Sequence, residues 1–326
     1  MRLETTVLLI SFVIAIILGI IIIPILRKLK VGQMERGEGP QSHLKKQGTP
    51  TMGGIIMIIT MLLVVTGLYV FFTINNQNDL ANKILPVMLL IIGFGIIGFI
   101  DDFKKLVLKN TKGLKPSYKM IGLLIISVAY VLYLVYGLNL GTDTYIPIIK
   151  QYIEIPIYLY IPFAIVVILA TTNAINLTDG IDGLSSSVST IIITCLTIIA
   201  ILTRQSELAI IGSVAIGGTL GFLMFNLHPA KVFMGDTGSL WLGGVISAMA
   251  LYLKMPIILL VIALVPVLET LSVIIQVAYY KKTGKRIFKM APLHHHFELS
   301  GWKENKVVII FSLITLVLCI IGLKII

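Results

Sequence analysis

An all-α, polytopic integral membrane protein with about ten transmembrane helices is the fold class this sequence predicts, and three observations predict it. The 326 residues are 57% hydrophobic and only 13% charged, an apolar load that no soluble domain of this size needs. The apolar residues are gathered into runs of about twenty, the length that crosses a hydrocarbon core. The basic residues, finally, are concentrated in alternate loops.

Read in order, the spans fall at roughly 5–26, 52–73, 84–100, 119–138, 157–173, 184–202, 208–226, 238–253, 257–280 and 306–325. No small-residue cleavage pattern follows the run from Val7 to Leu26, so it reads as a retained span and not a signal peptide. The span at 238–253 is short, and 257–280 contains Pro266 and Glu269, so a bend or break is expected in at least one of them. Between spans, 141–156 alternates Tyr, Ile and Pro and suits either a short hairpin or a surface helix. Cys195 and Cys319 both lie in apolar runs and read as packing residues, not a disulfide or metal pair.

Loops 27–51, 101–119, 227–237 and 281–306 hold 20 of the 26 Lys and Arg residues. The positive-inside rule puts those loops in the cytoplasm and both termini outside. The formal charge of +11 is therefore directed at anionic headgroups and phosphorylated substrates. Nucleic acid is not expected as a partner, because no soluble portion is long enough to carry a binding module. Residues 1–326 read as one transmembrane catalytic domain, with its active site formed by loops 27–51, 101–119, 174–184, 227–237 and 281–306.

Polar clusters of chemical character occur in five places, all on that face. They are Gln41 to Gly54, Asp101-Asp102 with the lysines that follow, Asn173 to Gly183, Asn226 to Gly238, and Ala291 to Glu298. A transporter is expected to hold its ionisable groups near mid-membrane, between broken helices. Collection at one face favours an enzyme whose soluble substrate arrives from the cytoplasm.

Adjacent acids at the edge of a hydrocarbon phase repel each other and persist most easily around a cation, although a pair of acids also marks where a helix leaves the bilayer. Asp101, Asp102, Asp179, Asp182 and Asp236 offer the hard oxygens that Mg²⁺ takes, one or two at a time. Lys104, Lys105, Lys112, Lys115 and Lys119 can neutralise a diphosphate as point charges, though most such lysines only orient the chain. Lys105, one helical turn after Asp102, and Lys119, at the mouth of the next span, are the strongest of these. Together the groups point to phosphoryl transfer, which is mostly positioning and charge neutralisation.

Asn176-Leu177-Thr178-Asp179-Gly180-Ile181-Asp182-Gly183 joins two spans through two glycines, so its backbone can approach a ligand closely; as a plain hairpin, its acids would be caps. Phe233-Met234-Gly235-Asp236-Thr237-Gly238-Ser239 repeats the pattern, with Phe233 able to stack on a base and Asp236 able to cap or to hold metal. His294-His295-His296 does not suit zinc, since adjacent side chains diverge and no cysteine or Glu-x-x-His partner is near. Phosphate contact or proton transfer suits one or two of them better. The segment Gly48 to Gly54 could hold an anion at a helix N-terminus but lacks a Walker ending.

These motifs resemble the polyprenyl-phosphate N-acetylhexosamine-1-phosphate transferases. Asp101-Asp102 with Lys105, Asn176 to Gly183, and Phe233 to Ser239 carry the general likeness. Ser42-His43-Leu44-Lys45-Lys46 through Gly54, and Pro292 to Glu298, are similar to the bacterial phospho-N-acetylmuramoyl-pentapeptide transferase branch. The likeness runs from the first cytoplasmic loop to the last without a large gap.

The resemblance implies a multi-pass enzyme of the bacterial cytoplasmic membrane, with its active site facing the cytoplasm. It would transfer phospho-N-acetylmuramoyl-pentapeptide from its UDP-linked form to undecaprenyl phosphate with Mg²⁺, giving lipid I and UMP in peptidoglycan biosynthesis. By the same likeness Asp236 would be the principal Mg²⁺ ligand, with Asp101 and Asp102 as acids that activate or align the lipid phosphate and complete the metal set. His294, Lys105 and Lys119 join them as catalytic candidates. Asn176 and Asp179 would line the centre, Asp182 and Phe233 would contact uridine, and Thr51, Leu177, Gly180, Asn226, Gln276 and His295 complete the substrate-binding set. A homodimer is also implied. Glu269 suits either a helix break beside a lipid groove or an internal pair with Gln276 or a neighbouring helix. Alternative readings are a sister enzyme taking UDP-N-acetylglucosamine and a lipid or nucleotide-sugar transporter.

Overall fold

The computed structural model describes residues 3–29, 48–106 and 113–326. Among them, nine helices are long and apolar enough to cross a membrane. They are α1 (Leu3–Lys28), α2 (Gly54–Ile74), α3 (Asn78–Leu106), α4 (Pro116–Leu132, continued by a π-helical turn Tyr133–Gly137), α5 (Ile157–Thr178), α6 (Leu184–Leu202), α7 (Ser206–Asn226), α10 (Leu264–Thr283) and α12 (Glu304–Ile325). The expected span at 238–253 is α8 (Gly235–Tyr252), and every residue from Thr237 to Tyr252 in it is buried.

Helix is the natural solution here, because it satisfies every backbone polar group within the segment. Many hydroxyls inside the bundle are satisfied the same way. Ser11, Thr60, Thr172, Thr219 and Ser247 each donate to the carbonyl four residues earlier, at 2.7 to 2.9 Å. The outward faces are apolar instead, as Leu9, Ile10, Val13 and Ile17 on α1 illustrate.

Helix α8 is the axis of the molecule, packed by α2, α3, α5 and α6. Its small residues let neighbours come close. Gly98 on α3 lies against the Asp236–Thr237 peptide, where no Cβ would fit. That approach brings the end of α3 onto the start of α8.

The ninth expected span is broken. A 3₁₀ turn (Pro256–Ile258) and the short α9 (Leu259–Ile262) end at Ala263, and α10 restarts at Leu264. Pro266, in the first turn of α10, has no N–H to bond back across the break. Helix α3 also differs from the expected span 84–100: it continues through Asp101 and Asp102 to Leu106, so both acids stand on a helix and not in a loop. Lys104 and Lys105 in its last turn suit the negative end of the helix dipole.

The fold is all-α apart from one hairpin, β1 (Asp143–Ile146) paired antiparallel with β2 (Gln151–Glu154), with Tyr145 opposite Tyr152. It resolves the two sequence readings of 141–156 in favour of a hairpin. A 2.6 Å ion pair from Lys254 to Asp143 and a backbone bond from Tyr145 N–H to Lys254 O fasten it just beyond the end of α8. The hairpin is thus about 27 Å from the Gly235 end of α8, by the rise of its 18 residues. Cys195 and Cys319 are free and buried between α6 and α12, as packing residues.

Candidate active site

The site is organised by the first turn of α8. Asp102 is buried, with 4% exposure, and both of its oxygens are committed there. Oδ1 accepts the Asp236 N–H at 3.2 Å, and Oδ2 accepts the Thr237 N–H at 2.8 Å and its hydroxyl at 2.6 Å. An acid from α3 therefore caps α8, where a helix N-terminus favours negative charge.

Asp101, the preceding residue, points elsewhere. Its Oδ1 accepts the Leu114 N–H at 2.7 Å, and its Oδ2 is 2.6 Å from the Lys105 ammonium. The same ammonium is 2.8 Å from Asp236 Oδ2, which Lys119 from α4 also approaches at 3.1 Å. Asp236 Oδ1 accepts from the Asn176 amide at 2.7 Å, and that amide also reaches Ser239 Oγ at 2.8 Å. Four helices, α3, α4, α5 and α8, thereby converge on one carboxylate. A cavity of about 440 Å³ opens over it, with Asp101, Lys105, Lys119, Asn176 and Asp236 on its polar side and Met120 and Leu123 on its apolar side. A second cavity of about 210 Å³, beside Tyr252 and Lys254, lies at the hairpin end and contains none of the predicted site residues.

These oxygens suit a hard divalent cation. Asp101 and Asp236 already share one positive charge, that of Lys105, and Mg²⁺ takes one or two carboxylates in this way. Asp102 does not point to that shared position, because its lone pairs serve α8.

Next to this centre is the turn between α5 and α6. Asp179 follows the last residue of α5, and its N–H bonds to Asn176 O at 3.3 Å. Burial pushes its carboxyl up to about 8, and the charges of Asp236, Asp102 and Asp182 push in the same direction. Leu177 and Gly180 are half-buried in the same segment. Asp182 faces away from the shared cation: its Oδ2 is 3.0 Å from both His228 Nδ1 and the Ala230 N–H, and its own N–H donates to Glu304 Oε1 at 2.6 Å. Asp182, His228 and Glu304 form a group whose atoms lie within 4.8 Å of one another and could hold a metal ion.

The Gly48–Gly54 motif reaches the site by backbone pairing. Phe233 N–H donates to Pro50 O, Gly53 N–H to Phe233 O and Gly54 N–H to Met234 O, at 2.8 to 3.0 Å. This lays Thr51, which is buried, beside Gly235 and leaves the Phe233 ring half-buried. Ser42 to Lys46, the other part of that motif, and Lys112 lie outside the described residues. Asn226 is an internal tie: it accepts from Ser186 at 2.6 Å and donates to Val232 O at 3.0 Å.

The triple histidine forms half of the short α11 (Leu293–Glu298), and the expected divergence is incomplete: the His294 and His295 rings pack edge to face with centroids 4.1 Å apart. His294 is fully buried against Gly180. His295 Nδ1 is 2.9 Å from Glu298, and His296 accepts the Lys289 N–H at 3.1 Å. Gln276 stands apart from the centre; its amide oxygen accepts the N–H groups of Ile287 and Phe288, and its NH₂ donates to Phe288 O, all at 3.0 Å. Glu269 pairs with His294 and not with Gln276.

Sequence reasoning did not single out Thr237, Ser239 or Glu304. The first two stand inside the Phe233–Ser239 motif, which was the available signal. Glu304 carried none beyond being an acid at the mouth of a span.

Comparison with known proteins adds a separate line. The family model described as glycosyl transferase family 4 matches residues 84–254. A phospho-N-acetylmuramoyl-pentapeptide-transferase of Clostridium botulinum (strain Alaska E43 / Type E3) is 49% identical over 97% of this chain and 94% of its own. Proteins of the same name from Acetivibrio thermocellus and Clostridium perfringens (strain 13 / Type A) are 48% and 49% identical, each over 96% of this chain and over 92% and 95% of their own. With a site of convergent acids and lysines built by the very motifs that suggested the family, the chain belongs to glycosyl transferase family 4 and, within it, to the phospho-N-acetylmuramoyl-pentapeptide-transferases.

Proposed function

We propose that this chain transfers phospho-N-acetylmuramoyl-pentapeptide from its UDP-linked form to undecaprenyl phosphate, releasing UMP and forming lipid I, with Mg²⁺ as cofactor. The observation that carries the reading is the meeting of Asp101, Lys105, Lys119, Asn176 and Asp236 at one cavity where apolar helices end. A lipid phosphate and a soluble sugar nucleotide can meet only at headgroup depth, and a cluster at the ends of apolar helices suits that depth.

Asp236 and Asp101 would hold the magnesium, which when bound supplies charge neutralisation to the diphosphate. Asn176 fixes the rotamer of Asp236 through Oδ1 and leaves Oδ2 facing the cavity. Asp102 keeps Asp236 in place by capping its helix. Lys105 and Lys119, now on carboxylates, are near enough to transfer their charge to phosphate oxygens.

A phosphate monoester has a second pKa of about 6, so the lipid phosphate is already mostly ionised at neutral pH. Its oxygen attacks the sugar-linked phosphorus directly, the bond from that phosphorus to the bridging oxygen breaks, and UMP leaves with the electron pair. No base is required, and no enzyme–phosphosugar bond forms.

The orientation follows the loop charges: site and basic loops in the cytoplasm of a bacterium, in its inner membrane, and both termini outside. A homodimer is the assembly proposed. The test of function is purified protein given undecaprenyl phosphate and UDP-N-acetylmuramoyl-pentapeptide. Mg²⁺-dependent UMP release is expected. Release with UDP-N-acetylglucosamine alone would transfer the reading to the sister enzyme.

A further inference from the structure

Glu269 is a carboxylate on a membrane helix with no exposure, and no step above uses it. Buried acids of this kind are expensive and are normally partnered. Among the described residues its carboxylate meets one partner, at two points. Oε1 accepts the backbone N–H of His294 at 3.2 Å, and Oε2 stands 3.2 Å from His294 Nδ1. The first contact secures the start of α11 to α10, which any acceptor of this length could do. The second lies at ion-pair distance without good hydrogen-bond alignment, as is common in catalytic pairs before substrate tightens them.

The other ring nitrogen faces the turn between α5 and α6. His294 Nε2 is fully buried, has no hydrogen-bond partner among the described residues, and abuts Gly180 so closely that no Cβ could be added there. Gly180 belongs to the turn whose Asp179 senses the charges of Asp236 and Asp102. A carboxylate beside Nδ1 keeps the proton on that nitrogen and leaves the Nε2 lone pair directed at the turn.

We propose that Glu269 is a positioning residue: its negative charge, beyond its hydrogen bond to the backbone, holds His294 with Nδ1 protonated so that Nε2 is offered to the Asp179–Gly180 turn. The proposal deepens the transferase reading and rests on it for its kinetic consequences, but the state of the ring can be measured without turnover.

The chain has five histidines, so ¹⁵N-histidine labelling with an H294Q difference spectrum can assign the His294 ring. In the unsubstituted protein, the proton is expected on Nδ1; a neutral ring with the proton on Nε2 overturns the proposal whatever any variant does. In Glu269→Gln, which keeps an acceptor for the backbone N–H, the Nδ1 signature is expected to be lost, kcat to fall at least tenfold and KM for the nucleotide to stay within twofold. In an H294Q background the same change is expected to have less than a twofold further effect. Equal losses in both backgrounds, or an E269Q protein with unchanged kcat and ring signature, would reduce Glu269 to a structural filler. Absence of UMP release from the unsubstituted protein would instead overturn the transferase reading, leaving the ring measurement to stand alone.

Discussion

Asp102 and Thr237, on different helices, are joined by two hydrogen bonds to one carboxylate oxygen, 2.8 Å from the backbone N–H and 2.6 Å from the hydroxyl. This relationship divides the labour of the adjacent acids: Asp102 builds α8, and Asp101 faces the cavity.

Removal of the buried cap should therefore act on stability. Asp102→Ala leaves three donors of the α8 terminus unmet, a loss of about 3 kcal/mol or more. Thermal unfolding in detergent should show a clear drop in midpoint. Asp101→Ala, by contrast, should lower activity at least a hundredfold with a much smaller change in midpoint. Equal unfolding shifts in the two variants would contradict the division.

Asp236→Asn retains the shape and the contact to Asn176 but removes the charge that two lysines share. UMP release should fall by about three orders of magnitude, while the unfolding midpoint stays near that of the parent. A transporter would continue to move unmodified substrate in this variant.

Gln276 tests whether a predicted contact residue acts on substrate or on the chain. Its amide makes three hydrogen bonds to the backbone of Ile287 and Phe288. Gln276→Ala should speed tryptic cleavage in the basic stretch Lys281 to Lys289, and change kcat less than about fivefold. A pure rise in nucleotide KM with unchanged cleavage would restore the substrate-binding role.

The Asp179 carboxyl, raised by burial to about 8, has a signature in pH. Between about pH 4 and 8 the folded chain holds a proton that the unfolded chain releases, so this group's contribution to stability is lost as pH rises through that window. In metal-free protein, the midpoint of the parent should decline relative to Asp179→Asn between pH 5 and 8.5. Parallel curves would mean that the carboxyl titrates normally.

Much of this was legible residue by residue. Nine of the ten expected spans are continuous helix and 257–280 is broken, and the motifs around Asn176, Asp236 and Thr51 do stand at one end of α8. The exceptions have local causes. The span expected to end at Ile100 continues because Asp101 and Asp102 find partners on α8 and Lys105, which hydropathy counts as a helix end. Glu269 looked equally suited to a groove or to Gln276, since nothing near it in the chain names His294.

By itself the sequence determined where the chain crosses the bilayer, because transfer of a twenty-residue segment into hydrocarbon depends on that segment alone. It determined equally that the reactive groups would be few and gathered near the helix ends, where charge is least expensive. Only the tertiary structure decided which of two adjacent acids faces the cavity and which binds the backbone 135 residues away. That choice comes from helix packing, in which the absence of a Cβ at Gly98 sets how near α3 comes to α8, and no local property of Asp101 or Asp102 encodes it.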